Sequence, residues 1–73
     1  MAKPEFTRVY GKKLSDTPKA IKFRVDGFLS EISNEEYPMD ESSTEWFPIS
    51  QISEVTDTEM VVKTWVLEKK ELM

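Results

Sequence analysis

Neither cysteine nor histidine occurs among the 73 residues. The first absence excludes disulfides and thiol nucleophiles, and the two together remove the usual ligands of structural zinc and the imidazole base of a Ser-His-Asp arrangement. Glycine is scarce too: Gly11 and Gly27 are the only two, and neither sits in a phosphate-binding loop pattern. No apolar run approaches the roughly 20 residues that cross a bilayer, and the N-terminus MAKPEFTRVY has no apolar h-region. The expectation is a soluble cytoplasmic chain without membrane contact. A core in a domain this small supplies about 3–5 kcal/mol, so every large apolar side chain matters.

Charge is divided along the chain. Residues 1 to 24 carry seven basic groups against Glu5 and Asp16, a net of +5, while the other 49 residues carry three basic groups against twelve acids, a net of −9. Two readings follow. The basic end reaches toward nucleic acid or an acidic protein surface, or it lies along the acidic body and neutralises it.

Apolar periodicity predicts a small α+β domain. Residues 1–18 hold Phe6, Val9, Tyr10 and Leu14 without a sustained period and end in the turn-like SDTP cluster, which reads as an extended basic arm with a short strand at Phe6 to Tyr10. In KAIKFRV, Ile21, Phe23 and Val25 alternate with Lys22 and Arg24, the pattern of a half-buried strand. Asp26-Gly27 follows as a two-residue hairpin turn into FLSEIS. Residues 33–43, SNEEYPMDESS, carry four acids and no base and predict a solvated loop. In TEWFPISQI, Trp46 and Phe47 face opposite ways, Pro48 marks an edge or a strand end, and one ring enters the core beside Phe23 and Trp65. Ser50 to Val55 continues as a turn or short strand, and EMVVKT is a buried strand. TWVLEKKELM forms a short helix capped by Thr64 and docked by Trp65. The sum is a curved antiparallel sheet of 3–4 strands within residues 19–73, with one C-terminal helix and an N-terminal arm.

Little in this inventory supports catalysis. Paired carboxylates could act only across a cleft, which a sheet of this size hardly offers, so no enzymatic activity and no cofactor are expected. The acids Glu35, Glu36, Asp40 and Glu41 lack the spacing of a calcium loop. They read either as a solubilising segment or as part of a phosphate-like line of negative charge offered to a basic protein surface. In the arm, Lys3, Arg8, Lys12 and Lys13 interleave with Phe6 and Tyr10, combining charge for phosphates with rings that stack or fill a protein pocket. Those six residues, with Glu35 and Glu36, are the candidate partner-binding set.

The strand KAIKFRVDG, Lys19 to Gly27, the motif Trp46-Phe47-Pro48-Ile49-Ser50-Gln51-Ile52 and the valine strand running into the Trp65 helix resemble those of a group of small phage and bacterial proteins sharing a Trp-x-Pro-x-Ser-x-Ile motif. Chain length, the MAKPEFTRVYGKK arm and the acidic insertion narrow the resemblance to phage-encoded regulators of host bacterial RNA polymerase. It implies a monomer in the host cytoplasm that binds polymerase near the RNA exit channel, at the β′ N-terminal region and the β flap. The implied action is displacement of sigma factor and suppression of intrinsic termination, with the elongation factor NusA as helper and nascent RNA as a contact of the arm. The alternatives are a direct nucleic-acid-binding module that uses the arm and a structural adaptor outside transcription.

Overall fold

Backbone pairing on both edges makes residues 6–16 a long strand rather than an arm. The computed structural model describes residues 5–29 and 35–72. The strands are β1 (Phe6–Asp16), β2 (Ala20–Leu29), β3 (Glu36–Pro48), β4 (Ile52–Val55) and β5 (Glu59–Lys63). A short 3-10 turn (Ile49–Gln51) precedes β4, and helix α1 (Thr64–Lys69) follows β5. All pairings are antiparallel, in the order β3-β2-β1-β5-β4. The expected antiparallel sheet with one C-terminal helix is therefore present, with five strands instead of three or four.

The additional strand comes from the segment expected as an arm. From Phe6 to Asp16 it is the middle strand, paired with β2 on one side and β5 on the other. Only Thr7 and Val9 are buried on it, and its second half offers the core face little beyond Gly11, Lys13 and Ser15. Apolar content was too low to reveal a strand whose stabilisation comes from ladders on both edges. Residues 1–4, including Lys3, lie outside the described residues.

Two further expectations are corrected. Asp26-Gly27 makes no hairpin turn but continues β2, with Gly27 opposite Tyr10 on β1 and Pro38 on β3. A Cβ on Gly27 would lie 2.5 Å from the Tyr10 hydroxyl and 2.6 Å from the Tyr37 carbonyl oxygen, so this residue is glycine for close approach rather than for a turn. Residues 36–43 are likewise strand instead of solvated loop. Their carboxylates face water while their backbone pairs with β2, and Met39 to Ser42 bulge out opposite the single residue Asp26. Residues 30–34, in the FLSEIS segment and at the start of the acidic one, lie outside the described residues.

Pro38 and Pro48 both fall on β3, an edge strand, where a missing backbone donor costs least. Pro48 ends the strand, and the Ile49 N–H donates to the Lys19 carbonyl at 3.0 Å as the chain turns toward β4. Between β1 and β2 the SDTP turn is closed by Thr17, whose N–H and hydroxyl both donate to the Ala20 carbonyl, at 2.9 and 2.8 Å.

One face of the sheet carries the core: Val9, Ile21, Phe23, Val25, Phe47, Met60 and Val62, covered by Val66 and Leu67 of α1. The helix does not use the expected cap or dock. Thr64 makes no capping bond; its hydroxyl pairs with that of Thr7 at 2.7 Å in a buried contact, and its N–H donates to the Glu5 carbonyl at 2.9 Å. Trp65 is half exposed, because Val66 and Leu67 are the helical positions that face the sheet. The helix ends with Glu71 at φ 61°, while the Leu72 and Glu71 amides return to the carbonyls of Leu67 and Glu68. This αL stop turns Leu72 back onto the core.

The expected splitting of the aromatic pair is present. Phe47 is fully buried with Phe23, while Trp46 remains 46% exposed. Replacing Phe47 by alanine is expected to cost about 3–5 kcal/mol, comparable to the stability of so small a domain. Trp46→Ala is expected to cost less than about 1 kcal/mol. Urea denaturation followed by circular dichroism separates the two, and equal losses would show that the pair is not divided between core and surface.

Candidate functional site

On the face of the sheet opposite the core, the register brings charged side chains from all five strands together. Directly opposed residues share a face, so Phe6, Arg8, Tyr10 and Lys12 of β1 lie with Arg24 of β2 and with Glu59 and Lys63 of β5. Glu36 and Glu54 join them from the outer strands. Of the candidate partner-binding residues, Phe6, Arg8, Tyr10, Lys12 and Glu36 are thus gathered on one face. Lys13 stands across from the core residue Phe23, and Glu35 precedes β3, where its carboxylate accepts a hydrogen bond from the Tyr37 hydroxyl at 2.9 Å.

Most cations on this face already have partners. The two terminal nitrogens of Arg8 reach Glu59 at 3.1 Å and Glu54 at 3.2 Å, so one guanidinium joins β1 to β4 and β5. Arg24 binds both oxygens of Asp26, at 3.1 and 3.3 Å, and Ser42 donates a further hydrogen bond to the same carboxylate. Lys13 lies 3.6 Å from Asp16 and 3.9 Å from Asp57. Lys63 sits 3.8 Å from Glu5 and over the Phe6 ring. Arg8, Lys13 and Arg24 thus pair with carboxylates of the acidic body, as one of the two readings of the charge division has it. The Lys13–Asp16 pair, by contrast, lies within the basic end, and Lys63–Glu5 joins a body cation to a basic-end acid. Lys12 makes no ion pair among the described residues.

Two groups on β1 and β2 are shifted by this setting. The hydrogen bond from Ser42, against an opposing desolvation and aided by the pairing with Arg24, holds Asp26 below the ordinary aspartate range. Tyr10 is raised by desolvation and then by the carboxylates of Glu36 and Asp26, which disfavour a phenolate beside them. Among the described residues no group of three acidic ligands is placed to hold a metal ion, and no helix is long and apolar enough to cross a membrane.

A second surface was missed from sequence. Trp46, Pro48, Trp65, Val66, Lys69 and Lys70 line an open cleft of about 380 Å³ between the end of β3 and α1. The Lys22 ammonium lies 6.0 Å from the Trp46 ring centre, and that of Lys70 5.5 Å from the Phe47 ring centre. Assigning Trp65 to the core concealed this site. The signal available was the run Trp65-Val66-Leu67, in which a two-turn helix can bury only part of its apolar residues.

Comparison with known protein families, curated proteins and solved structures finds no match.

The lowered position of Asp26 has a definite sign. A carboxylate held below its ordinary range stabilises the fold above the ordinary aspartate value, and that contribution disappears as pH falls through the folded-state value. Asp26→Asn should therefore lower stability near neutrality and flatten its acid dependence. Urea denaturation across the acid range checks this, and an unchanged pH profile would show that the Arg24–Asp26–Ser42 group makes no contribution.

Proposed function

We propose that the chain is a non-catalytic, phage-encoded regulator that binds bacterial RNA polymerase through protein contacts. The specific partner rests on the resemblance carried by KAIKFRVDG, the Trp46 to Ile52 motif and the Trp65 helix. The preference for protein over free nucleic acid rests on one observation: Arg8 is held by both Glu54 and Glu59. Phosphate binding through β1 would have to break those pairs before gaining new ones. Lys13, with Asp16 and Asp57 beside it, faces the same competition. Against this, β3 carries Glu36, Asp40, Glu41 and Glu45 along a sheet edge, which suits a basic protein surface.

In this reading the protein acts by occupancy. As a monomer in the host cytoplasm it sits near the RNA exit channel, against the β′ N-terminal region and the β flap. There it competes with sigma factor during initiation and opposes the terminator hairpin during elongation, with NusA assisting. The governing quantity is its difference in affinity between polymerase states. Lys12, which makes no ion pair among the described residues and lies on the same face as Tyr10, favours a second reading in which this face touches nucleic acid directly.

Co-elution with purified bacterial core polymerase, set beside titration of single-stranded RNA across a salt series, decides between them. The proposal expects a stable complex with polymerase and barely detectable RNA binding at moderate salt. Steeply salt-dependent RNA binding without a polymerase complex would establish the second reading. Point substitutions such as Glu41→Lys suit the mapping better than deleting residues 1–13, which removes most of a central strand.

A further inference from the structure

The described lysines differ in their pairing. Lys13 and Lys63 are paired with carboxylates, as are both arginines. Lys22, Lys69 and Lys70 make no ion pair among the described residues; Lys69 and Lys70 line the cleft between Trp46 and Trp65, and Lys22 lies over the Trp46 ring. On a chain of net charge −4, three of the five lysines without an ion pair among the described residues thus gather at two half-exposed indoles, the other two being Lys12 and Lys19.

Both indoles keep about half their surface in water, at 46% and 50%, although the domain has little apolar area to spare. Pro48 and Val66 continue the apolar lining between them. The volume of about 380 Å³ falls at the small end of ligand-sized clefts, enough for a large side chain and the backbone that carries it. An occupant must therefore combine an apolar anchor with negative charge.

We propose that this cleft is a docking site for a short acidic linear segment of a partner protein, which inserts one aromatic or large aliphatic side chain between Trp46 and Trp65 and sets its carboxylates against Lys22, Lys69 and Lys70. A nucleic acid strand satisfies the same local chemistry less well. Its charge continues in both directions, and along β3 it meets Glu45, Glu41 and Asp40. A peptide carries only as many carboxylates as the lysines match. One indole face is already occupied by the Lys22 ammonium, which leaves less flat surface for a stacked base. The site does not depend on the partner being polymerase.

Selection of a random peptide library on the immobilised protein, followed by titration of the enriched peptides against tryptophan fluorescence, tests the proposal without polymerase. Enriched peptides should be acidic around an apolar or aromatic residue and should shift the emission saturably. Joint Lys69→Glu and Lys70→Glu substitution should weaken them about tenfold or more, with the circular dichroism spectrum retained. Trp46→Ala, at an exposed position, should abolish binding, while Ser53→Glu, on the exposed side of β4, should leave it unchanged. Neutral or basic selected peptides, no enrichment, or indifference to the charge reversal would each overturn the proposal. So would saturable, Lys69- and Lys70-dependent binding of oligouridylate in the absence of peptide binding, which would assign the cleft to nucleic acid.

Discussion

The double-sided pairing of β1 is the constraint on which the rest of the structure depends. Its hydrogen bonds join β2, and through it β3, to β5 and β4, so two halves that are distant in sequence become one sheet. The same strand secures the helix. The buried contact of Thr7 with Thr64 and the bond from the Thr64 amide to the Glu5 carbonyl fix where α1 begins, and Val66 and Leu67 join the core from there. Past the end of β5, the Gly11 and Lys13 amides continue onto the carbonyls of Thr58 and Asp57, so the β4–β5 turn is held by β1 as well. A helix of six residues could not persist alone in water, and here the sheet supplies its order.

From this arrangement follows the fate of the charges. A strand in the middle of a sheet has neighbours on both sides, and the neighbours of β1 bring Glu54, Glu59 and Asp57 within reach of its cations. Arg8, Lys13 and Arg24 of the basic end are thus engaged within the molecule, while Lys12, Lys19 and Lys22 make no ion pair among the described residues. Carboxylates line the β3 edge, and lysines surround the two indoles at the end of that strand. A protein with surfaces of both signs is suited to bridging, the property on which the proposed occupancy of a larger assembly draws.

Strands and helix were legible in sequence wherever apolar periodicity was strong. Ile21, Phe23 and Val25 marked β2, Met60, Val61 and Val62 marked β5, and the split of Trp46 from Phe47 followed from strand geometry alone. Elements stabilised by pairing rather than by apolar content were not legible. The first strand has few hydrophobic residues on its second half, and β3 is rich in acids because it is an edge. Asp26-Gly27 has the composition of a turn, but its glycine makes room for Tyr10 and its aspartate anchors a bulge. For the candidate site, the β1 residues were found but not the carboxylates that engage them, since Glu54 and Glu59 lie more than forty positions away. The Trp65 cleft escaped notice because a tryptophan in a small domain is usually core.

Amide hydrogen exchange on the intact chain tests the central claim most directly, since a central strand and a loosely attached arm differ by the full free energy of unfolding. The amides of residues 7 to 10 should exchange only through global opening, with protection equal to the best-protected amides of β2 and β5. Rapid exchange there, with β2 and β5 still protected, would contradict the account and return the basic segment to the status of an arm.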